Sequence, residues 1–357
     1  MQKKTEHNIN ERLQRVLQIH FDPNEGTPYW LERQEQWGMD VLQNVRTIDD
    51  LPTLGPMDET ALAERPIEDF IPRRFHSRQD IILAQTGGSL GRPKFAVHRL
   101  DEFDTAFVTP FVRAAQACGF PRDTHWLFVG PTGPHVIGRA AQACARAYGK
   151  GDIFTVDFDP RWAKKLVPGS FAATRYLDHI LDQALHILET QSIEVLFSTP
   201  IVLARLWDLL SKEQCGCIRG IHLGGMAVDS DFMKKLRNAF PKAVILSGLG
   251  NTLLGMAPQL DYHEDTGMDY YPYGDRLVSR IVADGPSRPD LQQTVPYGQR
   301  GRLVWHRLDE MQLLINLVER DTAIRIVPCN IEGFTCEGIR DPRPVVNETV
   351  KPSIGLY

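Results

Sequence analysis

Apolar and polar positions follow two textures along this chain, and the change falls near residue 260. Ile81-Ile82-Leu83-Ala84 is an unbroken apolar run of strand length and reads as a buried strand. Phe95-Ala96-Val97-His98 reads as a second short strand. From residue 103 the spacing becomes helical, running to Cys118 with Gly119 as a stop. Strand-length runs at 126–130, 153–156, 195–198, 218–223 and 244–247 then alternate with helical patterns over 136–148, 176–188, 201–210 and 231–240. Such alternation predicts an α/β fold with a largely parallel sheet.

Two helical patterns precede the first strand. One runs through Leu13, Val16 and Leu17 with Asn10 placed to cap it, and the other passes through Trp30, Trp37 and Val41. Residues 48–72, rich in Pro and acidic side chains, read as an extended wrap. Beyond 260, short alternating runs at 277–282, 302–306, 312–317 and 323–327 sit between Tyr-, Pro- and Gly-rich turns and predict a small β-rich subdomain. The expected organisation is a wrap over 1–80, an α/β core over 81–260, a β-rich subdomain over 261–345 and a tail over 346–357.

Composition narrows the class of protein without naming a function. The chain has 357 residues, 42% of them apolar and 24% charged, the balance of a soluble globular protein of one large domain or two ordinary ones. A net charge of -5 with no basic run argues against a nucleic-acid surface. No apolar stretch approaches the roughly 20 residues that span a bilayer, and Met1 to His7 have no apolar core behind them. Neither a membrane partner nor a signal peptide is expected, and the expected location is cytoplasmic. Six cysteines are too sparse for a disulfide scaffold, and Cys215-Gly216-Cys217 has the wrong spacing for a zinc knuckle. The 11 histidines show no H-x-x-x-H spacing.

Candidate chemistry gathers at Thr86-Gly87-Gly88-Ser89-Leu90-Gly91-Arg92-Pro93-Lys94, directly after the first strand. Glycines let a backbone turn with its N–H groups inward, a nest for phosphate oxygens, and hydroxyls and cations add to it. An ordinary glycine-rich turn has the same composition. The spacing fits neither G-x-x-x-x-G-K-[ST] nor G-x-G-x-x-G. Other polar or glycine-rich segments lie at predicted strand ends, where α/β folds place ligands: Gly130 to His135, Ser198-Thr199-Pro200, Leu223-Gly224-Gly225-Met226 and Gly248 to Leu253.

In order and spacing these segments resemble the adenylate-forming superfamily of acyl-CoA synthetases, nonribosomal adenylation domains and luciferases, most of all its phenylacetate-CoA ligase-like members. Pro28-Tyr29-Trp30 and Thr47 to Pro52 resemble the entry segment of those ligases. The resemblance covers about residues 25 to 345 and implies the large N-terminal domain of that fold, with layered strand–helix sheets. It implies ATP and magnesium as cofactors and a carboxylic acid, aryl or otherwise small, as substrate. The acid would be activated as an acyl-adenylate and passed to an amine, a thiol or a carrier. A carrier protein, a partner enzyme or a second copy of the chain are the implied partners.

Residue by residue, Thr86, Gly87, Gly88, Ser89, Gly91 and Lys94 fall on the family's phosphate loop. His135 falls beside its acyl pocket, although a helix-flanking histidine with no ligand reads equally well. Gly224 and Gly225 fall where the family sets backbone against substrate and adenine; Phe128, His135, Phe197 and Met226 would suit an apolar pocket for an aryl acid, and each reads equally well as core. Gly250-Asn251-Thr252 resembles the segment whose Thr touches phosphate. Asp321, in Glu319-Arg320-Asp321, resembles the residue that takes the ribose hydroxyls, the alternative being a solvated turn residue. Gly338-Ile339-Arg340-Asp341 resembles the hinge before the C-terminal domain, which would set Arg340 near ribose or phosphate. Lys94 and Arg340 are the expected catalytic residues.

Three departures weaken the implied chemistry. Leu90 replaces a hydroxyl in the loop, Met226 an acid after Gly-Gly, and Leu253 the acid that helps hold magnesium. About 16 residues follow the hinge-like segment, so the C-terminal domain and its catalytic lysine are expected to be absent, and Lys351 lacks that lysine's context. The second reading is therefore a degenerate fold that acts as a scaffold subunit or on a pre-activated acyl group. A dehydrogenase and a metal hydrolase are both disfavoured by the missing motifs.

Overall fold

The computed structural model describes residues 2–88, 92–225, 228–285 and 288–345. Strands β1 (Ile81–Gln85) and β2 (Phe95–Arg99) pair antiparallel, from Ile81 opposite Arg99 to Gln85 opposite Phe95, and form a two-stranded sheet of their own. The glycine loop is thus the turn of a hairpin. Its first strand is not buried as expected, because only one face is covered. Ile82 and Ala84 pack with Phe103 and Phe107, while Leu83 between them is half exposed.

Five short strands follow: β3 (Trp126–Val129), β4 (Phe154–Val156), β5 (Val195–Ser198), β6 (Gly220–Leu223) and β7 (Val244–Asn251). They lie in the order β4-β3-β5-β6-β7 and all pair in parallel. Helices Val136–Tyr148, Phe171–Thr190, Pro200–Leu209 and Ser230–Ala239 connect them. Parallel neighbours need such crossovers, and strands covered on both faces read as continuous apolar runs.

Past β7 the chain turns back on itself. Strands β8 (Gly255–His263), β9 (Gly267–Tyr270), β10 (Leu277–Asp284), β11 (Pro289–Thr294), β12 (Arg300–Leu308), β13 (Leu313–Ile326) and β14 (Gly338–Pro344) pair antiparallel. They extend the same sheet, whose twelve strands run β11-β10-β12-β13-β14-β9-β8-β7-β6-β5-β3-β4. The sheet is therefore parallel only where strands alternate with helices. The runs at 312–317 and 323–327 belong to one strand, β13, and the polar residues between them stay in it. The hinge-like residues 338–341 lie within β14, held between β13 and β9.

The N-terminal segment closes over this sheet. Helix Gln2–His20 begins before Asn10, so Asn10 caps nothing; its Oδ1 accepts from the Ile48 amide at 2.9 Å and ties the wrap to the helix. Leu13, Val16 and Leu17 are fully buried in a core shared with Val41, Leu51, Leu308 and Leu314. Residues 48–70 hold short turns of 3₁₀ and α helix, Ile48–Leu54, Ala61–Glu64 and Ile67–Phe70. Buried Asn316 donates to the carbonyls of Leu51 and Gly55 at 2.6 and 2.8 Å, so β13 holds the wrap in place. Among the described residues, no helix is long and apolar enough to cross a membrane.

Candidate functional site

A cavity of about 580 Å³ opens where the parallel part of the sheet meets the antiparallel part and the hairpin. The hairpin supplies Thr86, Gly87, Gly88, Arg92 and Lys94. Thr86 closes the turn twice: its amide donates to the Lys94 carbonyl at 2.9 Å, and its Oγ1 accepts from the Lys94 amide at 2.9 Å. The carboxyl end of β5 supplies Phe197, that of β6 His222 to Gly225, and the β7–β8 turn Gly248 to Leu253. Opposite them, β13 presents Glu319, Arg320 and Asp321.

The β7–β8 turn is held from behind by a buried ionic network. Arg307 and Asp309 are fully buried and Arg276 nearly so. Asp309 accepts from Arg276 at 2.9 and 2.5 Å and from Arg307 at 2.6 Å. The two guanidinium groups also hold backbone: Arg307 donates to the carbonyls of Leu253 (2.9 Å) and Val97 (2.7 Å), as well as to Gln312 Oε1 and His98 Nδ1, and Arg276 donates to the carbonyl of Leu254 (2.8 Å). His98 Nε2 donates to the Thr252 carbonyl at 3.1 Å. Three successive carbonyls are thereby drawn out of the cavity. From the other side, Asn251 Oδ1 accepts from the amides of Leu253 and Leu254 at 2.9 and 3.0 Å. Gly250 is required here, since a Cβ on it would lie 2.1 Å from the Gly255 carbonyl oxygen. Gly225 has φ of 82°, a conformation that side-chain-bearing residues avoid.

Charge on the polar wall is balanced, with the carboxyls of Glu59, Glu319 and Asp321 set against the cations of Arg92, Lys94 and Arg320. Lys94 Nζ is ion-paired with Glu59. Glu319 Oε1 accepts from Asn251 Nδ2 at 2.8 Å. Burial, with the charges of Asp321 and Glu59 nearby, raises the Glu319 carboxyl to about 7, against the opposing pull of Lys94 and Asn251. Burial also raises Asp321, opposed by Arg302. The remaining wall is apolar: Phe107, Val136 and Ala140 belong to one packed cluster, and Met256 joins that cluster to the one holding Phe197.

No family model matches the chain, and no curated protein matches it by sequence. Its fold matches crystal structures of 2-hydroxyisobutyryl-CoA ligase. With the complex of that ligase with 2-HIB-AMP and CoA in the thioesterification state, the TM-score is 0.70 at 17% identity, over 95% of this chain and 67% of the other. An open conformation with the same ligands gives 0.69 at 16% identity over 94% and 68%. The postadenylation state with 2-HIB-AMP gives 0.69 at 16% over 95% and 67%. The fold is that of the adenylate-forming enzymes.

In this adenylate-forming fold, eleven residues expected at the site line one cavity: Thr86, Gly87, Gly88 and Lys94 of the hairpin, Phe197, Gly224 and Gly225, Gly250, Asn251 and Thr252, and Asp321. Ser89, Gly91 and Met226 lie outside the described residues, as do Leu90 and Lys351. Arg340 and His135 are not brought to the cavity. Arg340 is bound to Asp269 at 2.5 and 2.7 Å and contacts His263 at 3.0 Å, in register across β14 and β9. His135 is buried at the start of helix Val136–Tyr148; its Nε2 has no partner among the described residues, and the next turn of that helix lines the cavity instead. Phe128 lies in the core behind Phe197.

Magnesium does not fit where the fold family implies it. Leu253 carries no ligand atom and is buried in the cavity wall, so no step is assigned to a metal there. Among the described residues, a grouping of three ligand atoms occurs only at Asp261, His263 and Asp269, and Arg340 already occupies it.

Two site residues were missed in the sequence. Glu319 stands two residues before Asp321, and two acids two apart on one strand share a face, which is the signal that places it at the site. His222 interrupts the apolar end of β6, and a lone polar residue in a buried run was the available signal.

Proposed function

We propose that this chain activates a carboxylic acid with ATP, forming an acyl-adenylate and pyrophosphate, and then passes the acyl group to an amine, a thiol or a carrier. The convergence of the glycine hairpin, Gly224-Gly225 and Asp321 on one cavity carries the reading. A carboxylate suits a ribose cis-diol because it accepts two hydrogen bonds at once. Gly87, Gly88 and Lys94 line the same cavity, so a phosphate there would meet glycine backbone and a cation together. A carboxylate oxygen of the acid would attack the α-phosphorus, forming the new O–P bond as the bond to pyrophosphate breaks. Lys94 would exchange Glu59 for phosphate, and a partly exposed ion pair resists that exchange only weakly. The ligase structures hold 2-HIB-AMP and CoA, which supports an acyl-adenylate as the bound species and a thiol as one acceptor.

Leu253, which offers no ligand atom for a metal beside the phosphates, favours a second reading, in which the cavity takes an already activated acyl group or the chain serves a partner. Exchange of labelled pyrophosphate into ATP separates the two. The proposed function expects acid-dependent exchange that Asp321→Ala and Lys94→Ala abolish. No exchange across aryl and aliphatic acids, with no heat of ATP binding, would leave the second reading standing.

A further inference from the structure

The apolar wall of the cavity contains a polar side chain, His222, one ring nitrogen of which has no partner among the described residues. His222 stands on β6 in a row with Phe197 on β5 and Leu246 on β7. It is 2% exposed, lines the cavity, and packs edge-on against Phe197 and Phe111 with centroids 4.2 and 5.1 Å away. Its Nδ1 lies 2.9 Å from the Leu246 carbonyl oxygen. A carbonyl only accepts, so Nδ1 carries the proton and Nε2 bears a lone pair. Among the described residues no group donates to that Nε2. The space beside the ring is left by Gly248, whose Cβ would stand 3.6 Å from the imidazole Cε1 and 2.7 Å from Met256 Sδ.

We infer that His222 is a specificity residue: its Nε2 is a fixed acceptor, set in an apolar wall, for a single hydroxyl or amino donor on the acyl body of the substrate. The inference rests on the reading of the cavity as the site of a carboxylic acid. A buried acceptor left unpaired is costly, so a site built around one rejects the analogue that lacks the donor more strongly than a greasy pocket rejects an extra methylene. Burial pushes the ring down to about 4, so near neutral pH it offers no positive charge to a carboxylate. The carboxylate must therefore lie toward the hairpin, with the donor-bearing end of the acid at β6.

Two measurements test this, one of them independent of ATP chemistry. In the first, ¹⁵N-histidine spectra of the protein are titrated with phenol and with toluene. The His222 signals should show the Nδ1–H form in the free protein, and phenol alone should shift Nε2 in the direction of an accepted hydrogen bond. An Nε2–H form, or equal responses to phenol and toluene, would overturn the inference whatever the outcome with ATP.

In the second, acids are compared in matched pairs by pyrophosphate exchange: benzoate with 3-hydroxybenzoate, phenylacetate with 4-hydroxyphenylacetate, isobutyrate with 2-hydroxyisobutyrate. The hydroxylated member of at least one pair should be preferred tenfold or more. His222→Phe keeps the ring packing and should erase that preference without moving the melting temperature by more than a few degrees, and His222→Gln, which keeps an acceptor, should restore part of it. Exchange with no preference in any pair, or a preference that survives in His222→Phe, overturns the inference and leaves the adenylation reading intact. No exchange with any acid overturns both.

Discussion

Glu319 is the residue whose ionisation bears most directly on the cavity. Its carboxyl rises from the usual range to about 7 on folding, so between those values the folded chain binds a proton that the unfolded chain has released. Stability contributed at this position is present at low pH and is lost as pH rises through about 7. Glu319→Gln removes the charge and keeps the shape. The variant is expected to match the parent in urea unfolding at pH 5 and to exceed it by about 2 kcal/mol at pH 8. An equal difference at both pH values would show that the carboxyl does not titrate there. Gly250 makes a second residue-scale case. Gly250→Ala drives a methyl into the Gly255 carbonyl, and backbone cannot step aside as a side chain can. A loss of about 2–3 kcal/mol is expected in the same assay.

At the scale of the element, the β7–β8 turn owes its shape to groups far away in sequence. Asp309 neutralises two buried guanidinium groups, and these hold the carbonyls of Leu253 and Leu254. Asp309→Ala leaves both cations buried without a counter-charge, and a loss of about 3–5 kcal/mol is expected by denaturant melt. Replacing all three members by apolar residues of similar volume should recover much of that loss, because ordinary packing then substitutes for the network. None of this was legible in the sequence. Arg307 and Asp309 stand two apart at the end of a strand and look like solvent-facing charges, and Arg276 is one of many arginines. Helices were legible by their period, and parallel strands as continuous apolar runs alternating with them. The hairpin was not, since a run such as Ile81 to Ala84 is apolar on both faces whether or not both are covered. Strand β13 was split in two for a related reason: Glu319 to Asp321 break the apolar pattern where they face the cavity.

Across the whole molecule, five buried histidines shape the response to acid, and burial lowers His135 among them. Burial pushes His20 and His222 down to about 4 and His306 to about 3, and burial with the Arg307 charge holds His98 well below its ordinary value. His20, His222 and His306 are neutral in the folded chain near pH 5.5, where the unfolded chain would protonate them, and His98 shifts in the same direction. Stability is therefore full above about 6.5 and falls as pH drops toward 4. Glu319 opposes the trend by about one proton, so these three histidines and Glu319 together should take up about two protons net on acid unfolding near pH 5. The slope of the urea midpoint against pH measures that number, and a slope near zero would mean that the histidines are not buried as described. The order of site segments was legible at this scale because each stands at the end of a predicted strand. Which end segments share a cavity was not, and the placement of Arg340 and His135 shows why: a strand end fixes where a residue sits, and its nearest partner decides where the side chain goes.

The unbroken sheet has a practical consequence for dissecting this chain. Strand β8 spans residues 255–263 and is bonded to β7 on one side and β9 on the other, so the change of texture near 260 does not coincide with a gap in hydrogen bonding. A fragment ending there would carry the parallel strands with one long edge stripped of its neighbour, and a fragment beginning there would carry the complementary bare edge. Such edges recruit other strands. Expressed separately, the two pieces should aggregate; expressed together, they should find each other.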